Sequence, residues 1–245
     1  MATLAVILPA AGKSTRFHDK HYKKPFIPLE DRALWLHAAE KFLNRDDVKQ
    51  TILIISPEDR EDFFSKFGAN VAIHGIQVVY GGAERSDSVA NALAHVKPDV
   101  DFVAIHDAAR PCIANEWIDS VFAAAQKTGA AILAIPVAGT LKRVTGNLIQ
   151  ETVSRQNLWE AQTPQVFRRE LLIQAYAQRG TTPATDDAEL VERLGHPVTI
   201  VPGSPINMKI TTKDDMRLAA QALKALPKPK LMGPAHPFAG DDLWR

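Results

Sequence analysis

Along the chain, short apolar and β-branched runs alternate with longer stretches in which apolar residues recur every three or four positions. That alternation is the pattern of βαβ units, in which each strand feeds a helix that packs back onto a largely parallel sheet. The spacing predicts strands over Leu4 to Leu8, Thr51 to Ile55, Gln77 to Tyr80, Phe102 to His106, Ala131 to Pro136 and Thr199 to Val201. Several are apolar at consecutive positions, as strands covered on both faces require. Helices are predicted over Leu34 to Leu43, Glu58 to Phe67, Ser86 to His95, Asn115 to Lys127, Arg169 to Gln178, Asp186 to Leu194 and Lys213 to Leu226. Asp187 or Thr185 is placed to cap the sixth helix and Thr212 the last. The fold class expected is α/β.

The stretch from Val137 to Thr163 breaks this rhythm. It mixes alternating residues (Leu141, Arg143, Leu148, Gln150, Thr152) with a turn at Gly146-Asn147, the signature of a β-hairpin. An arm of that kind must cover its apolar side, and a second copy of the chain is the expected cover. From Pro227 to Arg245 the chain is proline-rich and aperiodic, as an extended tail outside the domain would be. The organisation expected is one domain over 1–226, with its arm over about 137–163, and a tail over 227–245.

With 46% hydrophobic residues in 245, the chain can bury a sizeable core. Its 29 basic residues nearly cancel 28 acidic ones, so no overall field draws it to nucleic acid or an anionic membrane, and a small ligand is expected instead. A single cysteine, Cys112, cannot form an internal disulfide. The N-terminal run lacks a basic flank and reaches Pro9 too soon to span a bilayer. A cytoplasmic protein is the expectation.

Three segments carry candidate chemistry, each following a predicted strand. The first is Pro9-Ala10-Ala11-Gly12-Lys13-Ser14-Thr15-Arg16. Small residues at the carboxyl end of a strand let backbone N–H groups approach phosphates, and open α/β sheets bind ligands there. Gly12-Lys13-Ser14 imitates the end of a P-loop, but that motif needs a glycine where Ile7 stands. Arg16, Lys20, Lys23 and Lys24 follow as a cluster of cations suited to a triphosphate. The second segment, Gly81-Gly82-Ala83-Glu84-Arg85-Ser86-Asp87-Ser88, pairs glycines that admit a flat ring with serines able to cap a helix or bond a base edge. The third, His106-Asp107-Ala108-Ala109-Arg110-Pro111, sets an aspartate at the end of a buried strand. There it needs a partner, either Arg110 or a Mg²⁺ bridging triphosphate oxygens.

Together these segments resemble the 2-C-methyl-D-erythritol 4-phosphate cytidylyltransferase family of the non-mevalonate isoprenoid pathway. Later stretches agree: Pro136-Val137 with Thr140 and Lys142, Arg155 before Leu158-Trp159, Thr163-Pro164-Gln165, Thr185-Asp186, and Asn207-Met208-Lys209-Ile210-Thr211. The resemblance runs from about Leu4 to Leu226. It implies a Rossmann-like sheet with helices on both faces, and a homodimer whose β-hairpin arm reaches the neighbouring active site. It also implies attack of a polyol phosphate on the α-phosphate of CTP. Carried onto this chain, Arg16 and Lys24 would stabilise the reacting phosphate, Lys209 would add charge beside it, and Asp107 would hold Mg²⁺. Ala10, Ala11, Gly12, Gly82, Ala83 and Ser88 would line the cytidine site. Thr140, Arg155 and Thr163 would grip the acceptor, with Arg110 and Thr211 nearby. The sequence departs from the family where Lys23-Lys24-Pro25 replaces Pro-Lys-Gln, leaving Lys23 an alternative to Lys24, and where Ala83 replaces a common acidic residue. Two other functions fit the same motifs: a cytidylyltransferase for another polyol phosphate such as ribitol 5-phosphate, and a nucleotide-binding protein without catalysis.

Overall fold

The computed structural model describes residues 2–12 and 26–227. Arg16, Lys24 and the expected tail beyond Pro227 lie outside them. A seven-stranded sheet runs through the molecule. In chain order its strands are β1 (Leu4–Pro9), β4 (Val48–Ile55), β5 (Gln77–Tyr80), β6 (Phe102–Ile105), β7 (Ala130–Pro136), β10 (Trp159–Arg168) and β11 (Thr199–Pro202). Two small hairpins supply the remaining strands, β2 (Pro28–Leu29) with β3 (Arg32–Ala33), and β8 (Leu141–Thr145) with β9 (Leu148–Val153). Across the large sheet the order is β11-β7-β10-β6-β1-β4-β5. Only β10 runs antiparallel to its neighbours, β6 and β7.

The helices are α1 (Leu34–Leu43), α2 (Arg60–Ile73), α3 (Arg85–Leu93), α4 (Asn115–Thr128), α5 (Arg169–Ala177), α6 (Asp187–Arg193) and α7 (Lys213–Lys224). Because strand side chains alternate between faces, β1 divides the core in two. Leu4, Val6 and Leu8 join Trp35 and Phe42 of α1, Phe63 of α2 and Val121 and Phe122 of α4 on one face. Ala5 and Ile7 join Val89 of α3, Leu172 and Tyr176 of α5 and Leu190 of α6 on the other. A smaller cluster of Leu29, Leu34, Cys112, Ile210 and Ala219 sits under α7. There the buried Cys112 thiol donates to the Ala219 carbonyl at 3.6 Å, and loss of solvent pushes its pKa up to about 12.

The expected Rossmann-like, mostly parallel sheet with helices on both faces is what the chain forms. Several details differ from the sequence-based expectations. Strand β10 is absent from the predicted elements: Pro164 interrupts it, and its register with β7 shifts between Ala161 and Gln165, so the ordinary strand signal is broken. Its first residues, Trp159 to Thr163, fall inside the stretch read as arm. The exposed hairpin itself is Leu141–Val153, turning at Gly146-Asn147. Helix α2 runs six residues past Phe67, and β4 begins three residues before Thr51. The cap of α6 is Asp186, whose carboxylate accepts the Glu189 N–H, rather than Asp187 or Thr185. Thr212 caps α7 as expected, accepting from Asp215.

Ile7 is fully buried in the central strand. Ile7→Ala is expected to lower unfolding free energy by about 2–5 kcal/mol through lost burial and a residual cavity. Leu218→Ala, at a position 60% exposed, should change it by no more than about 0.5 kcal/mol. Urea titrations of both variants check the contrast.

Candidate functional site

Just past the strands, the backbone keeps the spacing of the sheet. Ala10 N–H donates to the Ile54 carbonyl at 2.8 Å, Gly81 N–H to Ile55 at 2.8 Å, and Ala108 N–H to Pro9 at 3.3 Å. The first and third motif loops are thereby set side by side, and the glycine loop packs against the first. A Cβ built on Gly81 would lie 2.7 Å from Ala11 Cβ, and one on Gly82 only 2.5 Å from Asp87 Cβ. No side chain fits either position, so the backbone itself forms the surface. Ser88 is buried, and its hydroxyl accepts from Gly82 N–H and donates to the Glu84 carbonyl, both at 3.0 Å. It therefore shapes the glycine loop from beneath. Ala10 is buried, Ala11 half-buried, and Gly12, Gly82 and Ala83 are exposed along the rim.

Asp107 sits at the centre, with a side chain only 11% exposed. Lys209 Nζ lies 2.7 Å from Oδ2, Arg85 Nη2 3.7 Å from Oδ1, and Arg110 Nε 3.8 Å from Oδ2. Burial alone would raise the pKa of this carboxyl. The charges of Lys209, Arg85 and Arg110 outweigh it and hold the group well below the usual carboxylate range. Arg85 is half-buried; desolvation works against its charge, but Asp187 and Asp107 raise its pKa above the ordinary arginine value. Asp187 is wholly buried, paired with Arg85 at 2.6 Å and accepting from the Tyr176 hydroxyl at 2.5 Å.

The loop that carries Lys209 is fastened from several sides. Arg110 Nη1 donates to the Asn207 carbonyl at 2.7 Å, and Ile210 N–H to Ala109 at 2.8 Å. Asn207 Nδ2 donates to the Thr163 carbonyl at 2.9 Å, and Gln162 Nε2 to Ser204 at 2.9 Å. A Cβ on Gly203 would meet the end of the Gln162 side chain, so that amide would have to move. Among the described residues, Arg110 Nε and Asn207 Oδ1 are buried without a hydrogen-bond partner, an unmet donor and an unmet acceptor.

Behind Asp107 lies a buried relay. His106 is fully buried, and its Nε2 bonds the Arg110 carbonyl at 3.0 Å. A carbonyl only accepts, so the proton is on Nε2 and Nδ1 is the acceptor. Thr163 Oγ1 then donates to Nδ1 at 3.1 Å and accepts Asp107 N–H at 3.0 Å. With its hydroxyl used in both directions, Thr163 braces the aspartate's backbone.

The structure thus gathers Ala10, Ala11, Gly12, Gly82, Ala83, Ser88, Asp107, Arg110, Thr163 and Lys209 at one end of the sheet, Thr163 on β10, Ser88 on α3 and the others on the loops between elements. Thr211 is next to them, but its hydroxyl donates to Asp215 at 2.8 Å in the start of α7. Thr140 and Arg155 stand apart at the base of the hairpin, both exposed, with the Arg155 guanidinium donating to the Ala138 carbonyl. Sequence reasoning assigns no site role to Arg85, His106, Tyr176 or Asn207, and reads Asp187 only as a helix cap. Arg85, His106 and Asn207 lie inside segments already singled out, whereas nothing in the spacing of Tyr176 or Asp187 connects them to Asp107.

Among the described residues, no three His, Cys, Asp or Glu side chains gather to hold an ion. The ionised Asp107 carboxylate is a hard oxygen donor of the kind a divalent metal takes, and the cations around it match a polyphosphate that would bring the metal and supply, with water, most of its ligands.

A Rossmann-like sheet that presents a glycine loop and a cation-ringed aspartate at strand ends defines a nucleotide-dependent transferase. The family model for 2-C-methyl-D-erythritol 4-phosphate cytidylyltransferase (IspD) matches residues 4–225. The chain belongs to that family and is a nucleotidyltransferase. It is similar to a 2-C-methyl-D-erythritol 4-phosphate cytidylyltransferase of Rhodopirellula baltica, with 46% identity over 91% of this chain and 95% of that one. It is 37% identical to a bifunctional enzyme IspD/IspF of Desulfotalea psychrophila, over 92% of this chain and 58% of that longer one. The solved 2-C-methyl-D-erythritol 4-phosphate cytidylyltransferase of Thermus thermophilus superposes with a TM-score of 0.73 at 31% identity, covering 89% of this chain and 98% of that one.

Burial lowers the pKa of His106 from 6.5 to about 4, opposed in part by the Arg110 carbonyl and the Asp107 charge. The unfolded chain therefore takes up this proton near pH 6.5 and the folded chain only near pH 4. Stability from this group is complete above pH 6.5 and falls as pH drops between those values, by about 3 kcal/mol in all. Denaturant titrations from about pH 7 to about 4.5 should show that slope, and His106→Gln should flatten it.

Proposed function

We propose that this protein transfers the cytidylyl group of CTP to 2-C-methyl-D-erythritol 4-phosphate, releasing pyrophosphate and forming 4-diphosphocytidyl-2-C-methyl-D-erythritol for isoprenoid precursor synthesis. The observation that carries the reading is the buried, ionised Asp107 among three cations beside the glycine loop, in a chain of this family. The acceptor's phosphate oxygen forms a bond to the α-phosphorus while the bond to the β-phosphate bridging oxygen breaks, and its electron pair leaves with pyrophosphate. The nucleophile is already an anion, so no side chain need remove a proton.

The difficulty is repulsion between two polyanions. Arg16, Lys24 and Lys209 meet it with fixed positive charge that is worth most as charge gathers on the reacting phosphate. Mg²⁺, held by Asp107 and the triphosphate, supplies further neutralisation of the phosphate oxygens when bound. Cytidine lies along Ala10, Ala11, Gly12, Gly82 and Ala83, and Ser88, which takes up the Gly82 N–H, keeps that loop in shape. Arg110, Thr163 and Thr211 border the acceptor side.

Thr140 and Arg155 complete the acceptor site from the arm of a second copy. In support, both are exposed on a hairpin that also presents Val144, Leu148 and Ile149, 55%, 72% and 63% exposed, to solvent. Apolar residues on a protruding hairpin call for a covering surface. The working unit is a homodimer of one nucleotidyltransferase domain over 1–226 per chain. No helix among the described residues is long and apolar enough to cross a membrane, and the single buried thiol fits work in the cytoplasm.

Pyrophosphate release with Mg²⁺ tests the whole reading, with CTP, UTP, ATP and GTP crossed against methylerythritol 4-phosphate and ribitol 5-phosphate. Turnover is expected with CTP and methylerythritol 4-phosphate; preference for ribitol 5-phosphate would overturn the acceptor, and silence with every pair the enzyme. Arg16→Ala and Lys24→Ala should each lower kcat by about a hundredfold or more, and a near-normal rate in either removes that residue from the chemistry. Arg155→Ala should raise KM for the acceptor and spare CTP affinity. Mixing inactive Asp107→Asn with Arg155→Ala subunits should restore about a quarter of the parental activity if the arm acts across the dimer. No gain above the separate proteins would place the arm in its own site.

A further inference from the structure

The three cations around Asp107 are not equivalent. Arg85 is tied on its far side to Asp187 at 2.6 Å, and Asp187 is wholly buried and held in turn by Tyr176. Arg110 is tied through Nη1 to the Asn207 carbonyl at 2.7 Å, while its Nε stands 3.8 Å from the carboxylate, beyond hydrogen-bond range. Lys209 differs from both. Asp107, at 2.7 Å, is its one ion-pair partner among the described residues, and its side chain is 40% exposed. A guanidinium fastened elsewhere stays where it is, whereas an ammonium on a four-carbon stem at the edge of solvent can turn away at little cost.

We propose that Asp107 is a latch for Lys209, one that a divalent cation opens. Carboxylate and ammonium satisfy each other at 2.7 Å. A doubly charged ion that takes Oδ2 displaces Lys209, the only one of the three cations free to leave, and turns its charge towards the reacting phosphates. Arg85 and Arg110 remain and keep the carboxylate ionised. The same side chain that assists the chemistry is therefore a competitor of the metal, and removing it tightens metal binding. This inference rests on the metal being held by Asp107, as the proposed function has it.

The test uses Mn²⁺ alone, added to the full-length protein, with its affinity read from paramagnetic broadening of the backbone amide signals of residues 106–109. Lys209→Met, which keeps most of the side chain's bulk and loses its charge, is expected to bind Mn²⁺ about tenfold more tightly than the parent, as removal of a neighbouring unit charge predicts. Lys209→Gln should behave alike and stands in if the first variant does not fold. Asp107→Asn should abolish the local broadening. Equal or weaker affinity in the Lys209 variants, with broadening still lost in Asp107→Asn, would overturn the latch and leave the metal assignment standing. Broadening that survives Asp107→Asn would overturn both; its absence from parent and Lys209 variants alike would overturn the latch, since a metal that binds only with the triphosphate does not open it unaided.

Discussion

The site depends on keeping one carboxylate ionised where water hardly reaches it. A buried anion is tolerated only when its charge is met, and removing one partner from such a pair typically costs about 3–5 kcal/mol. Asp107 is met three times, and each cation arrives from a different part of the chain: Arg85 from the start of α3, Arg110 from the loop after β6, and Lys209 from the loop after β11. The electrostatic demand of one residue thus adds to the backbone bonds that already fasten these segments together, such as Ile210 N–H to the Ala109 carbonyl. His106 and Thr163 add a fourth tie, since the aspartate's own N–H ends on a hydroxyl from β10.

That arrangement explains why β10 runs against the grain of the sheet. Lying between β6 and β7, it carries Gln162, Thr163 and Gln165 into the interior. Gln162 and Thr163 bond the Lys209 loop. Gln165 accepts the Ala188 N–H and donates to the cap residue Asp186 at the head of α6, next to the Asp187 that anchors Arg85. A single strand therefore supports both the cation that stays and the one that can leave. Buried polar side chains in a core strand stabilise only when fully bonded, which is the condition these three meet through β11's loop, α6 and the motif loops.

Much of this was legible in the sequence, and unevenly so. Strands such as Leu4–Pro9 and helices such as Leu34–Leu43 and Asn115–Thr128 follow from apolar periodicity, because the side chains that set the period are the ones that are buried. The motif loops were legible as sites because glycine, alanine and aspartate at strand ends are otherwise poor choices. Strand β10 was not, since its polar interior residues and Pro164 contradict the pattern of a core strand. The link from Tyr176 through Asp187 and Arg85 to Asp107 was also hidden. It joins positions about a hundred residues apart, and no local propensity records a bond that only tertiary packing creates. The hydroxyls of Ser88 and Thr163 suggest ligand contacts when only the sequence is in view; in the fold they bond the protein's own backbone and the His106 ring.

The small cluster beneath α7 has a practical use. Its thiol is the protein's sole cysteine, lies fully out of solvent and is protonated at any pH used for maleimide chemistry. A cysteine introduced at the hairpin turn, for instance Asn147→Cys, can therefore carry a fluorophore or spin label while Cys112 is left in place. The native protein is already a single-label background, so the surroundings of the hairpin turn can be followed without first stripping the molecule of its own sulfhydryl.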